Sequence, residues 1–422
     1  MNILIKSAQI IDSNSPFNGK TMDILIENGI IKSVKSKISP DKNVKIIEAK
    51  NLHLSAGWFD MQVNFCDPGF EFKEDLNTGM KAAAAGGFTG VAVVSSTNPP
   101  IHSKSEVQYI LNKTADSIVD VYPIGTLSHK LEGKDLSEMY DMQQAGAVAF
   151  SDDKKAIENA GLLMRALLYA QNFDGLIITH CDEKSISLDG KMNEGITSTK
   201  LGLKGIPALA EEVMVNRNIF LADYTNSNIH ISNISTQRSV ELIKKAKTSG
   251  LKVTASINAY NIALDDSALM GFESNFKTNP PLRTKADIEA LQKGIADGTI
   301  DAITSDHRPQ DIESKDLEFD LAANGMIGLE TVFALINTNK GKIKLETIIE
   351  KMTFSPRKIL KLKQPKIAEG EPANLTMFDP ELEWIFERKN IQSKSINSPF
   401  LGSKFKGKVI GIVNKKLVHI NK

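Results

Sequence analysis

The sequence predicts an α/β protein: a (β/α)8 TIM barrel carrying a small β-sandwich built from both chain ends. Three observations predict it. Short β-branched runs alternate with helical patterns about eight times through the middle of the chain. Both termini are rich in strand patterns while the middle is not. A length of 422 residues suits one large barrel with a smaller appendage. The expected division is 1–54 with 366–422 for the sandwich and 55–365 for the barrel.

At the N-terminal end, Ile3 to Ile5, Asp23 to Ile26, Ile30 to Val34 and Val44 to Ile47 read as strands, with Asn28-Gly29 as a turn. At the C-terminal end, Leu375 to Phe378, Val409 to Val413 and Lys416 to Ile420 read the same way. In between, strands are expected near Gly57–Asn64, Thr89–Ser95, Val119–Ile124, Ala147–Ser151, Leu176–His180, Ile229–Ile231, Leu251–Ser256 and Asp301–Thr304. Helical patterns cover Glu74–Ala85, Ser105–Lys113, Ile157–Ala170, Ala208–Val215, Thr236–Ser249 and Lys285–Ile295. Other α/β folds share this rhythm, and the pattern by itself does not choose among them.

Lys+Arg and Asp+Glu balance at 51 each, so no basic excess points to nucleic acid and no acidic tail to disorder. Cys66 and Cys181 are the two cysteines, too few for a disulfide framework or a cysteine-only zinc site, which makes a reducing cytoplasm the expected location. The apolar start of MNILIKSAQIIDS is short and broken by Lys6 and Ser7, unlike a signal peptide. No run approaches the length of a membrane span.

In a (β/α)8 barrel the chemistry sits at the C-terminal ends of the strands. Strand one ends in Gln62, Asn64 and Cys66, which share one face by alternation; amides are poor zinc ligands, so hydrogen-bonding side chains in a mouth are the plainer reading. Strand four ends in Ser151-Asp152-Asp153-Lys154, either metal ligands or, as favoured from these residues alone, a helix cap before Ile157. Strand five ends in His180 among carboxylates, a ligand candidate or a structural histidine. On strand six, His230 and Asn233 are an odd number of positions apart, so only one is expected to face the mouth, and Thr236 is a candidate cap. Strand eight ends in Asp306-His307-Arg308; Asp306 suits a general base or a ligand, or else the Asp-His pair is a cap and a salt bridge. The chain has seven histidines, and few fall at strand ends.

Several segments together resemble dihydroorotases of the multifunctional-complex type, in the amidohydrolase superfamily of metal-dependent hydrolases. They are Ser55 to Asp60 with Asp67-Pro68-Gly69, Ala85 to Thr89, Thr97 to Pro100, Ala149 to Asp153, His180 to Glu183, Asn279 to Arg283, Ser305 to His307 and Gly328 to Thr331. They spread over nearly the whole chain. The resemblance implies zinc at the barrel mouth, hydrolysis of a cyclic amide in pyrimidine biosynthesis, and a homodimer; the charge balance and the lack of a membrane-length run leave no nucleic acid and no membrane among the expected partners. Position by position, the family's His-x-His falls on Gln62 and Asn64. Its Asp and His metal ligands are kept as Asp153 and His180, its strand-six His ligand falls on Asn233, and its catalytic Asp is kept as Asp306, which also counts among the retained metal-site residues. Among substrate contacts, Asn279 survives, while Cys66, Ser96 and Gln310 replace an Arg, an Asn and a His. Lys154 and Arg308 stand where the family has small residues, placed to intrude on the mouth or to contact an anion differently.

Two expectations follow. With three imidazoles replaced by amides, the first is a catalytically impaired homologue, holding no zinc or at most one weakly bound ion, with a structural or assembly role such as with aspartate transcarbamoylase. The second is an active cyclic amidohydrolase with a single-metal or altered site; some amidohydrolase-superfamily deacetylases carry Gln-x-Asn on strand one and use one ion.

Overall fold

Eight parallel strands form the barrel. They are β1 (Trp58–Val63), β2 (Phe88–Val93), β3 (Asp120–Gly125), β4 (Ala149–Phe150), β5 (Ile177–His180), β6 (Ile229–Ser232), β7 (Val253–Asn258) and β8 (Ala302–Thr304). The computed structural model describes residues 2–39 and 44–421. The strands are buried almost throughout, because helices cover the outside and side chains fill the inside; such strands read as apolar runs rather than alternating ones. All eight expected segments overlap a strand.

Asp60 closes the ring. It is fully buried in β1, and its carboxylate accepts the Gln62 N–H at 2.9 Å and the Ser305 N–H at 2.8 Å, tying β1 to the end of β8. The Asn64 N–H then bonds the His307 carbonyl at 2.9 Å. Burial pushes the Asp60 carboxyl up to about 6 against these hydrogen bonds.

The helices start where side chains can cap them. Asp75 caps Leu76–Ala85, Ser103 caps Lys104–Thr114, Thr236 caps Gln237–Thr248 and Thr284 caps Lys285–Ala296. The expected cap at Ser151 to Asp153 is not one. The helix begins at Ala160 with Asn159 as its cap, while Asp152 accepts the Leu127 and Ser128 N–H groups at 2.8 and 2.9 Å. Asp152 therefore organises the loop after β3. The helix expected over Ala208–Val215 runs on to Thr225, since apolar residues continue along it.

The two chain ends join in one eight-stranded sheet. The C-terminal strand Asn374–Ile385 lies antiparallel to His53–Ala56, with Leu375 opposite Ala56 and Phe378 opposite His53. This sheet has its own apolar cluster, including Ile3, Ile5, Ile24, Leu54, Leu375 and Val413. Trp58 links it to the barrel, packing on Phe88, Phe333 and Phe378 and donating its indole N–H to Ser55 at 2.9 Å. Gly87, at φ +91°, lets the backbone pass: a Cβ there would stand 2.8 Å from the Trp58 ring. Among the described residues no helix is long and apolar enough to cross a membrane.

Candidate active site at the barrel mouth

Four charged side chains from two strand ends meet at the mouth. After β4, Asp153 sits at a left-handed φ of 54°, and after β8 Asp306 does the same at 47°. This local geometry turns both carboxylates toward the barrel axis. Lys154 and Arg308, the residues that follow or nearly follow them, reach into the space between. The Lys154 ammonium lies 3.0 Å from Asp306 and 3.1 Å from the Asn233 side-chain amide oxygen, Oδ1. The Arg308 guanidinium donates its Nε–H to Asp306 at 3.1 Å and pairs through Nη2 with Asp153. Ser96 donates to the other Asp153 oxygen at 2.6 Å, and Tyr260 donates to Asp306 at 2.7 Å. Two carboxylates thus face two cations, and the cluster carries no net formal charge.

The electrostatics agree with the geometry. Burial would raise the Asp153 carboxyl, but Arg308, then Lys154, then hydrogen bonds from Arg308 and Ser96 hold it below the ordinary carboxylate value. The same carboxylates push Arg308 above its ordinary value against burial. Burial lowers Lys154 to about 8, with Arg308 lowering it further and Asp306 and Asp153 opposing. Cys66 is buried and its thiol is pushed up to about 12, mainly by desolvation; a neutral thiol is neither a ready nucleophile nor a ready metal ligand.

His180 stands apart. It is 2% exposed, and neither ring nitrogen has a hydrogen-bond partner among the described residues. Burial and the nearby Lys154 charge push its pKa down, so the ring is neutral. His230, by contrast, is satisfied on both sides, by Thr254 and Ser256 at 2.9 Å each. Expecting only one of His230 and Asn233 to face inward was wrong. β6 ends at Ser232 and Asn233 has φ 54°, so strand alternation stops and both side chains turn inward. His230 lines a small interior cavity with Gln62 and Asp153, while Asn233 meets Lys154 and bonds Asn258.

The remaining expected site residues are scattered. The Asn64 amide nitrogen lies 3.4 Å from Ser96, and its oxygen accepts the Cys66 N–H at 2.8 Å. Gln310 turns outward, bonding Lys73 and the Asn324 carbonyl. Asn279 is half-buried and makes no side-chain hydrogen bond to the cluster among the described residues. His307 pairs with Glu74 at 3.5 Å and accepts the Gly328 N–H at 3.2 Å, the structural role. Sequence reasoning missed Asn258 and Tyr260. The signal was there: Asn258 ends β7 and Tyr260 follows two residues later, at the strand end where barrel chemistry is expected.

The comparisons with known proteins settle the lineage. A family model of dihydro-orotase-like proteins matches residues 53–239. The chain is similar to a dihydroorotase of Geotalea daltonii, 43% identical over 423 residues that cover 99% of each chain. It is also similar to a dihydroorotase of Ruminiclostridium cellulolyticum, 43% identical over 406 residues, 95% of this chain and 94% of that one. The chain belongs to the dihydroorotase family. Among solved structures, an L-hydantoinase (dihydropyrimidinase) from Arthrobacter aurescens superposes with a TM-score of 0.85 at 21% identity, over 100% of this chain and 96% of that one. That likeness confirms the barrel with an added sheet.

A dihydroorotase zinc centre is implied by the resemblance, and the donor set does not fit it. Zinc prefers imidazole, thiolate and carboxylate, with about four ligands per ion. Here the two carboxylates are engaged by internal cations, the strand-one and strand-six positions carry amides, and His180 has no hydrogen-bond partner among the described residues. Among the described residues no group of three or more His, Cys, Asp or Glu side chains is placed to hold an ion.

Proposed function

We propose that this chain is a dihydroorotase-like protein of pyrimidine biosynthesis whose catalysis is impaired and whose role is structural, as an assembly partner of an enzyme such as aspartate transcarbamoylase. One observation carries the reading: Lys154 and Arg308 fill the mouth and neutralise Asp153 and Asp306. A general base needs an open lone pair to take a proton from water. Asp306 accepts from Lys154, Arg308 and Tyr260 together, so its oxygens are occupied. An ion entering here would have to displace both cations. In this reading the chain holds no zinc, or one weakly bound ion.

The second reading is an active cyclic amidohydrolase with a single-metal or altered site. The relatives support it, and more strongly than they support impairment, since those at 39–43% identity carry the plain name dihydroorotase. The unpartnered His180 ring is the group such a site would use.

Turnover of dihydroorotate and carbamoyl aspartate by the purified chain, with and without added zinc, separates the two. Impairment predicts no zinc-dependent turnover; sustained turnover selects the second reading. Mixing with aspartate transcarbamoylase at micromolar concentration tests assembly, and the lack of a complex would remove that partner.

A further inference from the structure

We propose that the cavity at the N-terminal end of the barrel, opposite the mouth, is a binding site for a phosphate monoester of nucleotide size, anchored by Lys351. The cavity measures about 650 Å³. One wall is the start of four strands: Leu176 just before β5, Ile229 of β6, Val253 of β7 and Asp301 just before β8. The other comes from the helices Leu345–Met352 and Phe354–Ile359 and the segment after them. Chemistry in a (β/α)8 barrel belongs to the opposite end, so this space is no part of the site at the mouth. Its volume lies within the roughly 300–1,000 Å³ of small-molecule sites.

Lys351 is the residue that points to a ligand. In the helix Leu345–Met352 the apolar positions Ile348, Ile349 and Met352 are buried, and Lys351 turns inward beside them, 7% exposed. A lysine at the edge of an apolar stripe ordinarily carries its ammonium out to water. This one lines the cavity, with no hydrogen-bond or ion-pair partner among the described residues. The two carboxylates of the cavity do not serve it. Asp301 is taken by Lys247 at 2.6 Å and by the Ala255 N–H at 2.8 Å. Glu350 is exposed, and adjacent residues of a helix do not face each other. Burial holds the Lys351 pKa below the ordinary lysine value, with Asp301 and Glu350 opposing. Buried charges are ordinarily paired; no group of the chain pairs this one, and an anion entering the cavity does.

The surroundings define the anion. Lys252, Lys351, Lys358 and Lys361 line the cavity against the two carboxylates, in a chain whose charges balance overall. Lys361 is held by Asp174, as Asp301 is held by Lys247, and the two outside partners cancel. The local excess of two positive charges matches a phosphate monoester, which carries about −1.5 to −2 near neutral pH. Lysine ammonium groups are point charges that suit the several oxygens of a phosphate, whereas the planar fork of arginine is what matches a carboxylate. Ile229, Val253, Phe354 and Ile359 give an apolar wall for the body of the molecule, and Asn228 and Ser355 offer hydrogen bonds to sugar hydroxyls.

Isothermal titration calorimetry on the full chain tests this, with AMP, GMP, CMP and UMP, their uncharged nucleosides and inorganic phosphate as probes. The expected result is micromolar binding of at least one nucleotide, with its nucleoside and inorganic phosphate each weaker by about tenfold or more, the loss of one charged hydrogen bond. Lys351→Met should weaken the nucleotide by a similar factor, and Lys358→Ser, at the exposed rim, several-fold. Lys351→Met should also melt at or above the wild-type temperature, because it removes a buried unpaired charge at nearly constant volume, whereas loss of a lysine kept for the fold would lower it. No nucleotide binding at millimolar concentration would overturn the proposal. So would nucleotide binding that Lys351→Met leaves unchanged, inorganic phosphate that binds as tightly as the nucleotide, or a Lys351→Met variant that melts well below wild type.

Discussion

Replacing Arg308 by Met removes the cation that Asp153 and Asp306 share, and the loss can be worked from the contacts. Asp153 is 3% exposed and has Arg308 as its one ion-pair partner within 4 Å among the described residues. Asp306 keeps Lys154 and Tyr260. Removing one partner of a buried ion pair costs about 3–5 kcal/mol, because the remaining charge is left in a poorly solvating place. With an unfolding entropy of roughly 2.1 cal/mol/K per residue, a chain of 422 residues loses about 3–6 °C in melting temperature. Adding Asp153→Asn removes the stranded charge while keeping an acceptor for Ser96. The double variant should recover about 1–3 kcal/mol, the size of coupling expected for groups in direct contact. The pH dependence has a definite sign. The depressed folded pKa of Asp153 contributes stability that is present above the ordinary carboxylate value and lost as pH falls through the folded one. In Arg308→Met the folded value moves back up toward the unfolded one, so the loss still begins at the ordinary carboxylate value but is smaller and ends at higher pH. Thermal melts of the single and double variants at neutral and acid pH make the measurement. A single variant that melts with wild type, or a double variant whose loss is the plain sum of the two singles, would refute the reasoning.

Two further variants probe groups around the mouth. Burial lowers His230 to about 3 from 6.5, so the unfolded chain binds its proton first and stability is lost as pH falls from about 6.5 toward about 3; at pH 5 this amounts to about 2 kcal/mol. His230→Gln should flatten that limb in denaturant titrations at pH 7.5 and 5, and an unchanged acid limb would contradict the assignment. Lys277 donates to the carbonyls of Phe319, Asp320 and Ala322 at 2.6, 3.0 and 2.7 Å, pinning the segment after β8 to the loop before the helix Lys285–Ala296. Lys277→Met leaves those carbonyls without their donor, and limited proteolysis within residues 311–325 should speed up several-fold; an unchanged cleavage rate would show that Lys315, bonded to the carbonyls of Ser274 and Ala323, holds the segment alone.

How much of this was legible in the sequence differs between scaffold and site. The eight barrel strands were readable because parallel strands covered on both sides leave unbroken apolar runs such as Leu176–Ile178. The joining of the chain ends was readable from composition. The helices Val332–Asn339, Leu345–Met352 and Phe354–Ile359 were not, since they are short and follow no strand of the repeating rhythm. At the site, the replaced histidines were visible by position, and so was the intrusion of Lys154 and Arg308 as one of two options. What pattern reading could not supply was direction. Asp153, Asn233 and Asp306 all sit at positive φ, and alternation says nothing about a side chain once the strand has ended. Asp152 looked like a helix cap because Ser-Asp-Asp is cap chemistry, yet the backbone amides nearest it belong to the neighbouring β3 loop.

The measurement closest to the heart of this account is zinc content. Elemental analysis of the purified chain, dialysed after exposure to excess zinc, should find well under one equivalent in wild type, because Lys154 and Arg308 already hold Asp153 and Asp306. One or more equivalents of zinc retained through dialysis, and lost on Asp153→Asn or His180→Gln, would contradict it.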